Sequence, residues 1–419
     1  MDRNQHWVHS WAAMPMRTEP DNLPPKAFIE GTTAFPNTTI RQTVKLTLGT
    51  KRFLRLRLSN AFGLDDLEIK HATIAPAREN APGSKEIDAN ILRDITFDDG
   101  LRETSIPGGA QAVSDPIDFG RAVPRNTILS ISLFLKSGQD GQTGVTSHPG
   151  SRTTSFCCRG NHVSDPTWAN LAAQEVEHWY FISAIEVLAP RSACAFAIIG
   201  DSITDGRCST TDGNDRWPDR LFERFQLDST AANISVINQA AGGNRLLADG
   251  LGPNVLSRLD RDILCLSGLR YVLIFEGVND IGTADPNETS QAAALKRIIA
   301  GYRQIATRVH ARGIPVFAAT ITPFGRREVD AELDAEAEGL SGYSDPTRDQ
   351  TRRQLNDWIR TSGVFDAVID FDEVLRDRDH AEILSPQFDS GDRLHPNTRA
   401  FQALADAFPL DLFSKFRDY

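Results

Sequence analysis

This sequence of 419 residues is short of the features that mark specialised chains. It has no excess of basic charge: 45 Lys+Arg stand against 56 Asp+Glu, a formal net charge of −11. A chain-wide electrostatic footprint for nucleic acid or an anionic membrane is therefore absent, and a polyanionic partner is not expected. No apolar run approaches the roughly 18 to 20 residues of a membrane-spanning helix, so no membrane span is expected. Cysteine is sparse. Cys157, Cys158, Cys194, Cys208 and Cys265 form an odd set without Cys-x-x-Cys spacing, which supports neither a disulfide framework nor a zinc ribbon. The neighbours Cys157 and Cys158 would point to opposite faces of an extended chain, so no joint role is expected of them. Gly-x-Ser-x-Gly, His-Glu-x-x-His, a P-loop and Gly-x-Gly-x-x-Gly are all missing, which leaves the α/β-hydrolase elbow, metal chemistry and nucleotide chemistry without a foothold. Met1 to Trp7 has neither the basic n-region nor the apolar h-region of a secretory signal, so a cytoplasmic location is the default expectation and a secreted one applies if the sequence has been trimmed. The sequons at Asn37, Asn233 and Asn287 matter only in the second case.

What is present is the balance of an ordinary globular protein, with 40% hydrophobic, 24% charged and 8% aromatic residues. The length exceeds what one hydrophobic core usually serves, so two domains are expected. The apolar pattern changes period between them. Up to about residue 190 it alternates every second residue, as in Leu54-Arg55-Leu56-Arg57-Leu58 and in Leu129, Ile131, Leu133 and Leu135, the mark of half-buried strands. Thr39 to Leu48, Leu67 to Ala75 and His178 to Val187 are further strand candidates, and many short strands with few helices predict a β-sandwich of jelly-roll type over 1–190.

After Ala189-Pro190-Arg191-Ser192, short apolar runs alternate with amphipathic stretches, the α/β signature, over 191–419. Ala195 to Ile199, Ile234 to Ile237, Tyr271 to Phe275, Ile314 to Thr320 and Val364 to Ile369 read as strands. Helical spacing marks Trp217, Leu221, Phe222 and Phe225; Leu295 to Val309, closed by Gly313; Leu355, Trp358 and Ile359; and Phe401, Leu404 and Phe408. About five parallel strands with helices on both faces are expected, with ligands at the carboxyl ends of the strands. Arg326 to Ser344, rich in Glu328, Asp330, Glu332, Asp334, Glu336 and Glu338, reads as a solvated surface insertion.

The motifs with chemistry sit at those strand ends. Gly200-Asp201-Ser202 places a serine at a strand-to-helix junction, where backbone N–H groups can face an anion. Asn238 to Asn244 and Glu276 to Gly282 follow the next two strands; Gly243 and Asn279 supply donors that can complete an oxyanion hole with the Ser202 N–H. Asp392-Arg393-Leu394-His395 precedes the last helix, and an acid three residues before a histidine can fix the tautomer that turns Nε2 to the serine. Singly, each has an ordinary explanation as a cap, a turn or a loop hydrogen bond; four in chain order, each at a sheet edge, point to acyl transfer. Asn244 and Arg245, next to the oxyanion glycine, and His148, in Ser147-His148-Pro149-Gly150, are candidates for contact with substrate. Asp201 and Asp280 are expected to fix loops, and Trp168 and Trp179 to pack in a core.

Gly200-Asp201-Ser202, Asn238 to Gly243, Gly277-Val278-Asn279-Asp280 and Asp392 to His395 resemble the four blocks of the SGNH, or GDSL, hydrolase family, a likeness that covers residues 191 to 415. The resemblance implies a three-layer αβα domain with a mainly parallel sheet, Ser202 as nucleophile, Gly243 and Asn279 as oxyanion donors beside the Ser202 N–H, His395 as base and Asp392 as the orienting acid. Ala240 occupies the first glycine position of the second block, which keeps Gly242 as an alternative donor. Trp7 to Ala13, Arg57 to Gly63, Gly243 to Leu247 and Glu276 to Gly282 are similar to the two-domain subfamily near the xylan-cluster esterases of rumen bacteria. That likeness implies a serine esterase for small-molecule or carbohydrate esters, acetyl esters among them, without metal or organic cofactor. An acyltransferase using the same acyl-enzyme, or a carbohydrate-binding protein with a vestigial serine, is the alternative.

Overall fold

A computed structural model describes residues 4–142, 144–326 and 343–417. The acidic residues Glu328 to Glu338 of the expected insertion lie outside the described residues. The chain divides into two compact units, Met1–Ala195 with Thr211–Asn214, and Phe196–Thr210 with Asp215–Tyr419. Asp212 belongs with the first because its carboxylate accepts from the N–H and the hydroxyl of Thr154, at 2.8 and 2.7 Å.

The first unit is strand-rich. One sheet orders Gln5–Ala12, Ile182–Pro190, Phe53–Ser59 and Gln111–Val113, with Ile117–Asp118 also paired to Phe53–Ser59. A second orders Gln174–Val176, Ser155–Arg159, Thr38–Lys45, Ile128–Leu135, His71–Pro76 and Arg93–Asp94, and the ladders of both sheets are antiparallel. Leu54, Leu56 and Leu58 are fully buried while Arg55 and Arg57 between them are partly exposed, as period two requires.

Three expected strands differ in detail. Ile128–Leu135 is buried along its whole length, because the polar face is covered as well: Arg41, itself buried, donates to Ser132 Oγ at 2.9 Å and lies over the Trp168 ring at 4.3 Å. Leu67 to Ala75 is two strands, Leu67–Ile69 pairing with Thr104–Ile106 and His71–Pro76 with Ile128–Leu135, so the chain changes sheets at Lys70. His178 to Val187 is likewise divided, at Phe181, whose φ of +63° takes the backbone out of the extended region. Cys157 and Cys158 lie within Ser155–Arg159, and among the described residues no disulfide forms.

The strands of the second unit are β1 (Cys194–Gly200, which belongs to it from Phe196 on), β2 (Ile234–Ala240), β3 (Leu269–Phe275), β4 (Val316–Ala319) and β5 (Ala367–Ile369). They form one sheet in the order 2-1-3-4-5, with β3, β4 and β5 paired in parallel through Val272 to Val316 and Phe317 to Ala367. In this order the chain leaves β1 towards one edge and β3 towards the other, which opens a crevice at their carboxyl ends. The helices form two groups: α2 (Trp217–Leu227), α7 (Phe371–Leu375) and α8 (Thr398–Ala407) pack together, and so do α3 (Val255–Arg258), α4 (Val278–Thr283), α5 (Glu288–His310) and α6 (Pro346–Thr361).

Each group has its own aromatic cluster. Phe196 of β1 lies 6.4 Å from Phe225, 5.7 Å from Phe408 and 5.3 Å from Phe413, whereas Tyr302 of α5 meets Trp358 at 6.0 Å and Phe365 at 5.6 Å. Burying a phenylalanine is worth roughly 1.5 to 3 kcal/mol, so these clusters hold helices and sheet in a fixed relation and with them the loops at the strand ends. No helix among the described residues is long and apolar enough to cross a membrane.

Candidate active site

β1 ends at Gly200, and Asp201 then caps the short helix α1 (Ser202–Asp205), its carboxylate accepting the Ile203 N–H at 3.0 Å. Capping by Asp201 leaves the neighbouring serine side chain available. Ser202, at the first helical position and almost fully buried, carries its hydroxyl 2.8 Å from His395 Nε2.

His395 is held by its own loop. Nδ1 lies 2.6 Å from Asp392 Oδ2, while the backbone N–H groups of His395 and Leu394 donate to Asp392 Oδ1 at 2.7 and 3.0 Å. A carboxylate only accepts, so Nδ1 carries the ring hydrogen and Nε2 is left to accept from Ser202. Burial pushes the Asp392 carboxyl up, but its bonds from His395 outweigh this and hold it well below the usual carboxylate range. The loop is tied to α8 by Asn397, whose side chain caps that helix through Ala400 N and donates to the carbonyls of Gln387 and Asp389.

The second and third blocks join the same frame. Ala241 N donates to Gly200 O at 3.2 Å, Asn238 Nδ2 to Thr204 O at 2.9 Å, and Gly242 N to Asp205 Oδ2 at 3.2 Å. The Gly242 N–H is thus committed to the turn, and the next donor in the chain is that of Gly243, at φ +69°. Asn279, on α4 after β3, donates through Nδ2 to Asn244 O at 2.8 Å. Asp280, the next residue, accepts from the N–H groups of Leu246 and Leu247 at 2.8 and 3.0 Å. Asp201 and Asp280 therefore both hold loops, as expected.

The three residues expected to contact substrate each make contacts within their own unit. Asn244 is fully buried; its Oδ1 accepts two bonds from Arg258, at 3.1 and 2.8 Å, and its Nδ2 donates to Pro253 O. Its side-chain amide ties this loop to α3 through Arg258. Arg245 donates to Asp249 O and, at 3.5 Å, to Thr283 Oγ1, bracing the loop that follows. His148 belongs to the first unit, buried, with Nδ1 3.0 Å from Met14 O and its ring stacked on Trp179 at 5.7 Å.

Asp201, Glu276, Asp280 and Arg258 form a set of buried titratable groups that act on one another. Burial raises Asp201 to about 7, with Asp280 adding to the rise against the bond from Ile203 N. Glu276 is fully buried, and neither carboxyl oxygen has a hydrogen-bond partner among the described residues. Burial, then the proximity of Asp201, pushes its carboxyl well above the usual range, against the pull of Arg258. Burial without a hydrogen-bond partner disfavours the charged form of such an acid.

Arg258, Asp205 and Glu276 were not singled out in the sequence. Glu276 adjoins the third block, whereas Arg258 reaches Asn244 from α3, fourteen positions along the chain, where no local pattern marks it.

Residues 198–403 match the model of the GDSL-like Lipase/Acylhydrolase family. This stretch is a GDSL-like domain. The chain also resembles solved structures at low identity. One is a GDSL-like lipase from Bacteroides thetaiotaomicron, 16% identical, with a TM-score of 0.35 over 53% of this chain and 88% of that one. Another is Axe2, an acetylxylan esterase from Geobacillus stearothermophilus, 18% identical, with a TM-score of 0.37 over 52% of this chain and 94% of that one. No curated relative matches the chain.

Proposed function

We propose that this protein is a serine carboxylic-ester hydrolase that works through an acyl-enzyme on small or short-chain acyl esters, O-acetylated carbohydrate among them. The observation that carries the reading is the unbroken line from Ser202 Oγ through His395 to Asp392, at 2.8 and 2.6 Å, in a GDSL-like domain. His395 Nε2 takes the Ser202 proton as Oγ attacks the ester carbonyl, and the imidazolium formed is stabilised by the Asp392 carboxylate. The N–H groups of Ser202 and Gly243 and the Asn279 amide face the oxygen on which charge develops. Collapse of the tetrahedral intermediate expels the alcohol, which takes its proton from His395; water, activated by the same base, then releases the acid.

The test is hydrolysis of a p-nitrophenyl ester series from acetate to palmitate by wild type and Ser202→Ala. Acetate turnover lost in the variant is expected. Turnover unchanged by the substitution overturns the assignment of the nucleophile, and a preference for long chains overturns the short-chain reading.

A further inference from the structure

Both ends of the Asn279 amide are engaged. Nδ2 donates to Asn244 O at 2.8 Å, which occupies one of its two hydrogens, and Oδ1 accepts from the Tyr343 hydroxyl at 3.0 Å. Rotating the amide by half a turn would set Oδ1 against the Asn244 carbonyl, acceptor against acceptor, so the orientation is fixed with one N–H to spare. A donor on the carbonyl oxygen of an amide polarises the group and strengthens donation from its nitrogen.

The place of the Tyr343 ring is itself prepared. A Cβ on Gly282, three residues after Asn279 on α4, would lie 2.0 Å from Tyr343 Cε1 and 2.4 Å from Cδ1. Only glycine therefore lets the ring lie against this turn of the helix, and the edge of the buried Phe324 ring meets it at a centroid distance of 6.4 Å. The tyrosine is set on the one helix that carries Asn279, with its hydroxyl at the amide oxygen.

We propose that Tyr343 is a positioning residue for acyl transfer: seated on Gly282, it orients and polarises the Asn279 amide, so that the remaining N–H meets the oxyanion in the transition state. The inference rests on Ser202 as nucleophile and Asn279 as oxyanion donor. It predicts an effect on kcat rather than on KM, because the strengthened bond forms only as charge develops.

The experiment is a double-mutant cycle on p-nitrophenyl acetate, with Tyr343→Phe, Asn279→Ala, the double variant and Ser202→Ala, the melting temperature of each being measured alongside. Removing an oxyanion donor costs roughly 100- to 1,000-fold in kcat, and Asn279→Ala is expected in that range. Tyr343→Phe keeps the ring and is expected to lower kcat about tenfold with KM within about twofold, and to have no further effect in the Asn279→Ala background. Gly282→Ala, which displaces the ring, should show the same loss and the same dependence on Asn279. Wild-type kcat in Tyr343→Phe, or an equal loss with Asn279 present and absent, overturns the proposal. Undiminished turnover in Ser202→Ala or Asn279→Ala instead overturns the reading beneath it.

Discussion

Asp392 receives two hydrogen bonds from His395, one from Nδ1 at 2.6 Å and one from the backbone N–H at 2.7 Å, so a single carboxylate fixes both the loop and the ring it carries. Replacing it by the neutral amide in Asp392→Asn should keep much of the loop geometry while removing the charge and offering Nδ1 a competing donor. Loss of this acid leaves the wrong tautomer facing the serine, and kcat for p-nitrophenyl acetate is expected to fall by roughly 100- to 10,000-fold. A variant within a factor of two of wild type would show that the acid is dispensable.

Asp201 and Asp392 make opposite contributions to the pH dependence of stability. Asp201 is raised to about 7 when folded, so its proton is held more tightly than in the unfolded chain, where aspartate titrates near about 3.9. Its contribution is full below the unfolded value and declines as pH rises towards about 7. Asp392, held below its ordinary range, contributes above the unfolded value and loses that contribution as pH falls below it. Asp201→Asn retains an acceptor for Ile203 N but removes the titration, so the decline in the urea midpoint between about pH 5 and pH 7 should become shallower. Parallel curves for variant and wild type would refute the assignment.

Gly242 and Gly243 should respond differently to the same substitution. An added Cβ at Gly242 meets nothing within 4 Å, and its backbone N–H to Asp205 survives in alanine, so Gly242→Ala should keep near-wild-type kcat. At Gly243 the φ of +69° is the left-handed region and a Cβ would lie 2.5 Å from Leu251 Cδ1. Gly243→Ala should cost about 1 to 2 kcal/mol of stability from the backbone alone and lower kcat as its N–H moves. Denaturation and ester turnover, measured on both variants, check the contrast; equal effects would contradict it.

Much of the second unit was legible because its signals are local. Buried parallel strands are short apolar runs, helices repeat at 3.6 residues, and candidate sites of such sheets follow strand ends, so Ser202, Gly243, Asn279, Asp392 and His395 could be singled out as candidates from motif and spacing. Period two equally revealed Phe53–Ser59. It misjudged Ile128–Leu135, since covering of the Ser130 and Ser132 face depends on Arg41 and Trp168, which come from other strands and loops. A φ sign change inside an apolar run, as at Phe181, leaves no mark in hydrophobic pattern either.

The sequence by itself determined which residue types stand at the sheet edge, because chain connectivity and strand period dictate where each segment ends. Only the tertiary structure decided what those residues touch. It spent the Asn244 amide on Arg258, committed the Gly242 N–H to Asp205, and brought Tyr343 across 64 positions to Asn279. Hydrogen-bond partners distant in sequence are selected by packing, by which groups must be satisfied once water is excluded, and no local period encodes that choice.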